Sequence, residues 1–235
     1  MTLLKYLSIL TICIFFISCS ASRKAAQKAS SEKPTKIVAP GDVGIGTAMP
    51  KTFSAQQQKL ILEKDTTAGM RVFLITSKSD SILLRKKCED VVPNPNDPIL
   101  QQFVRRLYKT VTDSLSMGVG IAAPQVGILK NIIWVQRFDK DGFPFEVYLN
   151  PKIKQYTKKK QPCPEGCLSI PNKQAVTQNR AYAILLEYDR MDGSHHVEMV
   201  EDFTAVIFQH EIDHLYGILF TDHLEQDIKD AKVNE

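Results

Sequence analysis

The stretch Gln209-His210-Glu211-Ile212-Asp213-His214-Leu215 carries the strongest chemical pattern in the sequence. Two histidines four residues apart lie one turn apart on the same face of a helix, so both imidazoles can bind one metal ion. Glu211 follows the first histidine and places a carboxylate beside that ion. This spacing is typical of zinc-type hydrolases, although it also suits two core histidines that are satisfied by hydrogen bonds.

The flanking residues predict that this stretch lies on a helix facing the core. Asp202 is a good N-cap, and Phe203, Val206 and Ile207 begin an apolar pattern at helical spacing that the two histidines continue. Gly217 supplies the stop signal. The histidine face is therefore expected to be the buried face.

Composition restricts the classes of function. The chain has 30 basic and 26 acidic residues and no basic stripe interleaved with aromatic side chains, so we expect no nucleic-acid ligand. The five cysteines are too irregularly spaced for a disulfide framework, which leaves a chemical role open for one of them. The length suits a single catalytic domain, and we expect a monomer.

The beginning of the chain resembles a bacterial lipoprotein signal. Lys5 precedes a short apolar run that ends at Phe16-Ile17-Ser18-Cys19, which predicts a signal peptide over residues 1–18 and lipidation of Cys19. Residues 19–50 are rich in Ser, Lys and Pro and predict a flexible tether, with the catalytic domain over residues 51–235. We therefore expect an exported lipoprotein anchored to a membrane; the alternatives are an uncleaved anchor and a cytoplasmic enzyme.

Local signals predict several elements of the domain. Short helices are expected near Ser54 to Lys64 and after Thr221, and a strand at Met70 to Ile75. Asp97 and Pro98 open a helix expected to end at Gly118; its apolar face comprises Leu100, Phe103, Val104, Leu107, Tyr108, Val111 and Leu115. Further strands are predicted at Ile132 to Val135, Val147 to Leu149 and Ala183 to Tyr188, the first two paired.

The segment Gly118 to Gly127 combines two early glycines with small residues. Such a segment lets the backbone of a ligand approach closely, and the alternative is a simple glycine-rich turn. A phosphate-binding loop is excluded because no Lys-Ser/Thr pair follows the glycines.

Three motifs together resemble the signatures of the peptide deformylase family. They are Gly-Val-Gly-Ile-Ala-Ala-Pro-Gln at 118–125, Glu-Gly-Cys-Leu-Ser at 165–169 and Gln-His-Glu-Ile-Asp-His at 209–214, in the order of the family. The resemblance extends from about Met70 to Leu224. This sequence departs from the family in its additional residues before Met70 and in Asp202, where the family often has glycine.

The resemblance implies an α+β fold in which antiparallel sheets pack around a central, C-terminal HExxH helix that binds metal. It implies one divalent ion held by Cys167, His210 and His214, with Fe²⁺ expected and Zn²⁺ or Ni²⁺ able to replace it. Glu211 would be the general base, and the Gln125 amide and Leu168 N–H would stabilise the negative charge that develops on the substrate.

The resemblance also implies the substrate, an N-formyl-methionyl peptide that is cleaved to formate and a free amine. This peptide would add as a strand along Gly118, Val119, Gly120 and Ile121. Arg180 is expected to support the site by pairing with Asp213. Two alternatives stay open, a metallopeptidase of the HExxH class and a lipoprotein that binds formyl peptides without turnover.

Overall fold

The computed structural model describes residues 52–113 and 118–233. Its helices are α1 (Ala55–Leu62), α2 (Lys78–Leu84), α3 (Pro98–Val111), α4 (Asp202–Leu215) and α5 (Phe220–Val233), with a short 3-10 helix at Ala123–Val126. Its strands are β1 (Gly120–Ala122), β2 (Ile132–Gln136), β3 (Phe145–Tyr156), β4 (Lys160–Cys167), β5 (Ile170–Ala181), β6 (Ala183–Asp189) and β7 (His195–Glu201). The predicted signal peptide, tether and lipidated Cys19 lie outside the described residues.

The strands form two antiparallel sheets. One has five strands in the order β1-β2-β3-β6-β7, and the other is the two-stranded hairpin of β4 and β5. The predicted pairing of the strands at Ile132 and Val147 is confirmed as β2 against β3, in which Trp134 lies opposite Val147. Sheets and helices together confirm the predicted α+β class.

The larger sheet is covered by a helix on each face, and strand β2 shows why. Its successive side chains point to opposite faces, so Ile133 and Val135 join the cluster packed beneath α4 while Ile132 joins the cluster packed beneath α3. Burial of both faces holds the edge strand β1 between the two helices. Glycine-containing β1 is therefore placed directly beside the histidine-bearing helix.

Several predicted helix boundaries are confirmed. Ser54 caps α1 in a capping box with Gln57, and Asp97 caps α3 through the backbone N–H groups of Ile99 and Leu100. Helix α3 ends at Val111 and not at Gly118. Leu115, predicted on its apolar face, lies outside the described residues, and Tyr108 from the same set is 38% exposed.

One local prediction is wrong, and one helix has no counterpart among the predictions. Met70 to Ile75 is not a strand: it runs irregularly and makes isolated backbone bonds, such as Phe73 N–H to the Gln125 carbonyl at 2.7 Å. Met70 and Ile75 are partly buried against the apolar clusters, although the segment joins neither of the two sheets. The helix α2 that follows was not predicted; Ser77 caps it through the N–H of Asp80.

Asp202 is not the N-cap of α4. It is the first helical residue, with φ of +55°, while Glu201 takes the N-cap position without a side-chain capping bond. A left-handed backbone costs glycine little and is tolerated by aspartate. Gly217, at φ of +74°, follows the helix as predicted. None of the helices within residues 52–113 and 118–233 is long and apolar enough to cross a membrane.

Candidate metal centre

Three potential metal-binding side chains converge beneath the larger sheet. Cys167 ends strand β4, and His210 and His214 lie one turn apart on α4. The Cys167 sulfur is 3.2 Å from Nε2 of His214, and the ligand atoms of all three residues lie within 4.8 Å of one another. In the part of the chain that the structure describes, no other group of His, Cys, Asp and Glu side chains comes together in this way.

The chemistry of these donors fits a divalent transition metal. A thiolate and two imidazoles are the ligands that Zn²⁺ and Fe²⁺ accept, and three protein ligands leave a coordination position open. Burial opposes the charged form of Cys167, yet His214 and His210 hold the pKa of its thiol well below the ordinary value. The sulfur is therefore prepared to act as a thiolate.

A buried carboxylate orients one of the histidines. Glu165 accepts a hydrogen bond from Nδ1 of His210 at 2.7 Å, so the other ring nitrogen turns toward Cys167. Arg180 donates to the same carboxylate through Nε at 2.8 Å and Nη2 at 2.9 Å. Although burial alone would raise the pKa of Glu165, His210 and Arg180 keep it well below its ordinary range.

The structure brings Arg180 and Asp213 together, with Nη1 donating to Oδ2 at 2.6 Å. Asp213 lies on α4 beside His214, so the guanidinium joins that helix to the carboxylate behind His210. Both partners of this ion pair are largely buried, with side-chain exposures of 4% and 17%. The pairing expected from the sequence is thus present in the geometry.

Glu211 lies inside the site on the opposite side from that network. Its side chain is buried, and burial raises its pKa to about 7 in spite of the two neighbouring histidines. Among the described residues, no hydrogen-bond partner reaches its Oε2 atom. An orphaned carboxylate oxygen at the floor of a cavity is suited to accept a proton from a small molecule.

The amide of Gln125 approaches the site from the end of β1. Its Oε1 accepts from the Ala122 N–H at 2.9 Å, which directs Nε2 toward the sulfur of Cys167 at 3.5 Å and the hydroxyl of Ser169 at 3.3 Å. The donor end of the amide therefore faces the metal-binding group. Leu168 lies in the turn between β4 and β5, directly after the cysteine.

A cavity of about 870 Å³ opens over these residues. Gly118, Val119 and Gly120 line one side of it, and β1 is the edge strand of the sheet. Ile121, the fourth residue of this segment in the prediction, is fully buried and packs into the core beneath α3. An exposed strand edge beside a cavity can accept an extended peptide through main-chain hydrogen bonds.

Two features of strand β4 change the expectations from sequence. Cys163, Glu165 and Cys167 occupy alternate positions and share one face, so the role of Glu165 could have been inferred from the period of two. Four residues of strand separate the two cysteines by ~13 Å, whereas a disulfide needs Cα atoms within ~7 Å. This separation rules out a direct disulfide between Cys163 and Cys167 in this fold, and both thiols are free.

Comparisons with known proteins agree with this geometry. Residues 72–230 match the family model described as polypeptide deformylase. A peptide deformylase of Finegoldia magna is 37% identical over 140 residues, covering 60% of this chain and 82% of that protein. Peptide deformylase 1 of Clostridium perfringens is 40% identical over 145 residues, covering 62% of this chain and 93% of that protein.

Solved structures show the same likeness. A class I type b peptide deformylase from Acinetobacter baumannii, crystallised with Met-Ala-Ser, aligns with a TM-score of 0.57 at 29% identity. The alignment covers 67% of this chain and 99% of that one. The family match spans both sheets and the helix that carries the two histidines. The chain therefore belongs to the polypeptide deformylase family.

Proposed function

We propose that this enzyme removes the formyl group from N-formyl-methionyl peptides with the residues that converge at its buried site. Its family is one of metal-dependent hydrolases with this activity. Cys167, His210 and His214 hold the metal ion, Glu211 is the general base, and Gln125 and Leu168 supply hydrogen-bond donors.

One observation carries this assignment. The sulfur of Cys167 and the imidazoles of His210 and His214 come within 4.8 Å of one another, and the buried carboxylate of Glu211 and the amide of Gln125 approach the same space from separate elements. A protein that only bound metal or peptide would have no use for a buried, unsatisfied carboxylate there.

When bound, a divalent ion supplies Lewis acidity, which lowers the pKa of a water molecule toward ~7. Glu211 accepts the proton of the attacking water and delivers it to the leaving amine, so one side chain serves both proton transfers. The Gln125 Nε2 donor and the Leu168 backbone N–H bind the formyl oxygen as negative charge develops on it. Removal of one such donor typically costs ~100-fold or more in rate.

The substrate lies along β1 in this proposal. The Acinetobacter protein was crystallised with Met-Ala-Ser, a peptide of the kind that deformylation produces. An extended peptide of this size fits the cavity beside Gly118 to Gly120. Main-chain hydrogen bonds to this segment would hold the peptide whatever its side chains are. The apolar side chains of Val206 and Ile207 line the same cavity and suit a methionine side chain.

We assign Fe²⁺ as the native ion. Zn²⁺ and Ni²⁺ can replace it, because all three ions accept the sulfur and nitrogen donors of a thiolate and two imidazoles. Metal analysis of protein purified without oxygen tests the assignment. Stoichiometric zinc with full activity in such a preparation would contradict it.

Release of formate from formyl-Met-Ala-Ser tests the function. Glu211→Gln should keep the metal and lose ~100- to 10,000-fold in turnover, because it removes proton transfer and not a ligand. Glu63→Gln is the matched control, since Glu63 is exposed just after α1. Cleavage of an internal peptide bond in place of formate release would instead indicate a metallopeptidase, and binding without turnover a peptide-binding lipoprotein.

We propose that the enzyme acts as a lipoprotein anchored to a membrane through Cys19. Support comes from the sequence alone: Lys5, the short apolar run and Ser18-Cys19, followed by a Ser- and Lys-rich segment. Wild type should incorporate labelled palmitate and fractionate with membranes, and Cys19→Ala should do neither. If wild type carries no label and stays in the cytosol, the enzyme would instead act on nascent chains in the cytoplasm.

A further inference from the structure

A continuous line of hydrogen bonds leads away from the metal-binding group. His210 bonds to Glu165 at 2.7 Å, and Glu165 receives Nε and Nη2 of Arg180 at 2.8 and 2.9 Å. The remaining terminal nitrogen of Arg180 donates to Asp213 at 2.6 Å. The side chains of Glu165 and Arg180 are each only 4% exposed, so this line is shielded from water.

His223 on helix α5 closes the line at its outer end. Its Nε2 atom is 2.8 Å from Oδ2 of Asp213, the oxygen that also accepts from Arg180. A carboxylate oxygen only accepts, so both neighbours donate, and the hydrogen of the imidazole lies on Nε2. The 3.3 Å between Nε2 and Nη1 of Arg180 is the spacing of two donors on a shared acceptor.

Helix α5 is held firmly enough to place this histidine. Asp222, the preceding residue, pairs with Arg85 and accepts from the Leu219 N–H at 2.9 Å, which fixes the first turn. Phe220 is buried and stacks on the ring of His210 with centroids 6.0 Å apart. The helix therefore contacts one histidine of the site directly and reaches it again through His223.

We propose that His223 is a positioning residue for the metal centre. By donating to Asp213 it fixes the acceptor that holds the outer nitrogen of Arg180. Arg180 in turn sets the Glu165 carboxylate against the ring of His210. This inference rests on the proposed function, in which His210 is a metal ligand.

The physical effect of His223 has two parts. It supplies a second donor to an acceptor buried beside a cation, and its ring covers the Arg180–Asp213 pair, being itself 34% exposed. Loss of the ring would admit water to that pair and weaken its attraction, because the local dielectric would rise. Partners that bond a ligand directly matter ~10- to 100-fold for affinity, so a residue further along the line should matter ~3- to 10-fold.

The test uses the full-length, Zn²⁺-loaded protein and the half-time of Zn²⁺ transfer to excess EDTA at neutral pH. His223→Phe keeps an aromatic ring and removes the donor, whereas His223→Gln keeps a donor at the position of Nε2. His195→Phe is the matched control, because His195 pairs with Asp189 at 2.8 Å on the sheet, away from this line. Thermal unfolding of the metal-free variants reports any purely structural role.

We expect H223F to release Zn²⁺ ~3- to 10-fold faster than wild type. H223Q, which keeps the donor but loses the ring, should lie between H223F and wild type, and H195F should behave like wild type. The metal-free unfolding temperatures of H223F and H223Q should agree. Equal release from H223F and wild type, or equally fast release from H223F and H223Q, would overturn the inference.

A double-mutant cycle provides a second measurement. In an Asp213→Asn background the effect of His223→Phe on Zn²⁺ release should largely vanish, because the acceptor has changed; additive effects would count against the inference. His223→Leu replaces H223F if the latter does not fold. If wild type releases formate and retains Zn²⁺, and all variants release Zn²⁺ at the wild-type rate, this inference alone is overturned. Wild type that binds no Zn²⁺ and releases no formate overturns the proposed function, and the inference with it.

Discussion

Gly120 and Glu211 are in direct contact across the site. A Cβ atom at Gly120 would lie 2.9 Å from both Cγ and Cδ of the Glu211 side chain, closer than real Cβ contacts occur. Strand β1 can therefore pass beside the Glu211 carboxylate only because this position has no side chain. Gly120 makes room for the Glu211 side chain that we propose as the general base.

Gly120→Ala should displace the Glu211 carboxylate and reduce the turnover number at least tenfold, with metal content unchanged. Gly166→Ala is the matched replacement, since Gly166 also lines the cavity and its Cβ would lie 3.3 Å from Cγ of Gln174, a long side chain that can move. Formate release and bound metal, measured for both variants, check this. Equal turnover in the two variants would show that the contact does not constrain the base.

Arg106 links the core to residues that lie before the start of the family match. Its buried guanidinium donates to the carbonyls of Leu60 and Ile61 at 2.9 Å, of Ala68 at 3.1 Å and of Gly69 at 2.9 Å. The matched region begins at residue 72, so this segment is additional to the family pattern and yet built into the domain.

Arg106→Met should lower the free energy of unfolding by about 3 kcal/mol, because one buried and three partly buried carbonyls would lose their donor. Arg105→Met is the control: Arg105 is the exposed neighbour, and its replacement should change stability by less than ~0.5 kcal/mol. Urea denaturation of both variants measures the difference. Similar free energies of unfolding for the two variants would mean that water replaces the Arg106 donor at these carbonyls.

Glu146 predicts a pH dependence of stability. Burial favours its neutral form, but hydrogen bonds from Lys140, Tyr148 and Arg190 lower its pKa from the ordinary 4.5 to about 2. A lowered folded-state pKa contributes stability above the unfolded value, and that contribution is lost as pH falls from about 4.5 toward 2.

Glu146→Gln should therefore destabilise the protein by about 3 kcal/mol near neutral pH, and its deficit relative to wild type should shrink as the pH falls below about 4.5. Urea denaturation across this range measures it, with exposed Glu63→Gln as the control. A deficit that is constant with pH would show that packing, and not charge, is responsible.

Cys88 should be almost inert to alkylation in the folded protein. Burial raises its pKa from 9.0 to about 12, so its thiolate fraction is about 1,000-fold smaller than that of an ordinary thiol. Treatment with iodoacetamide followed by peptide mass spectrometry should show Cys88 modified only after unfolding in urea. Modification at the same rate with and without urea would contradict its burial.

Local patterns in the sequence predicted the helices α3 and α4, the pairing of β2 with β3 and the two histidines that we propose as metal ligands. Helical periodicity, the Asp97 and Ser54 caps and the His-Glu-x-x-His spacing act within a few residues, so they can be read without the fold. Motifs that resemble a known family extended this to Cys167 and Gln125, whose spatial relation to the histidines no local rule predicts.

Tertiary structure alone decided the features that depend on distant partners. Met70 to Ile75 has the composition of a strand, but its backbone donors find carbonyls at Gln125 and Ser169 and no ladder forms. Asp202 resembles a cap, but its place at the end of β7 demands a left-handed backbone.

The contacts that support the metal centre belong to the same class. Glu165 meets His210 across 45 residues of sequence, and His223 reaches Asp213 because α5 packs against β5, the strand that carries Arg180. Such contacts depend on how whole elements pack, because two side chains from separate elements meet only when the intervening chain brings them together. Residue type and spacing therefore indicated which groups we propose for the chemistry, and packing decided which groups from other elements contact them.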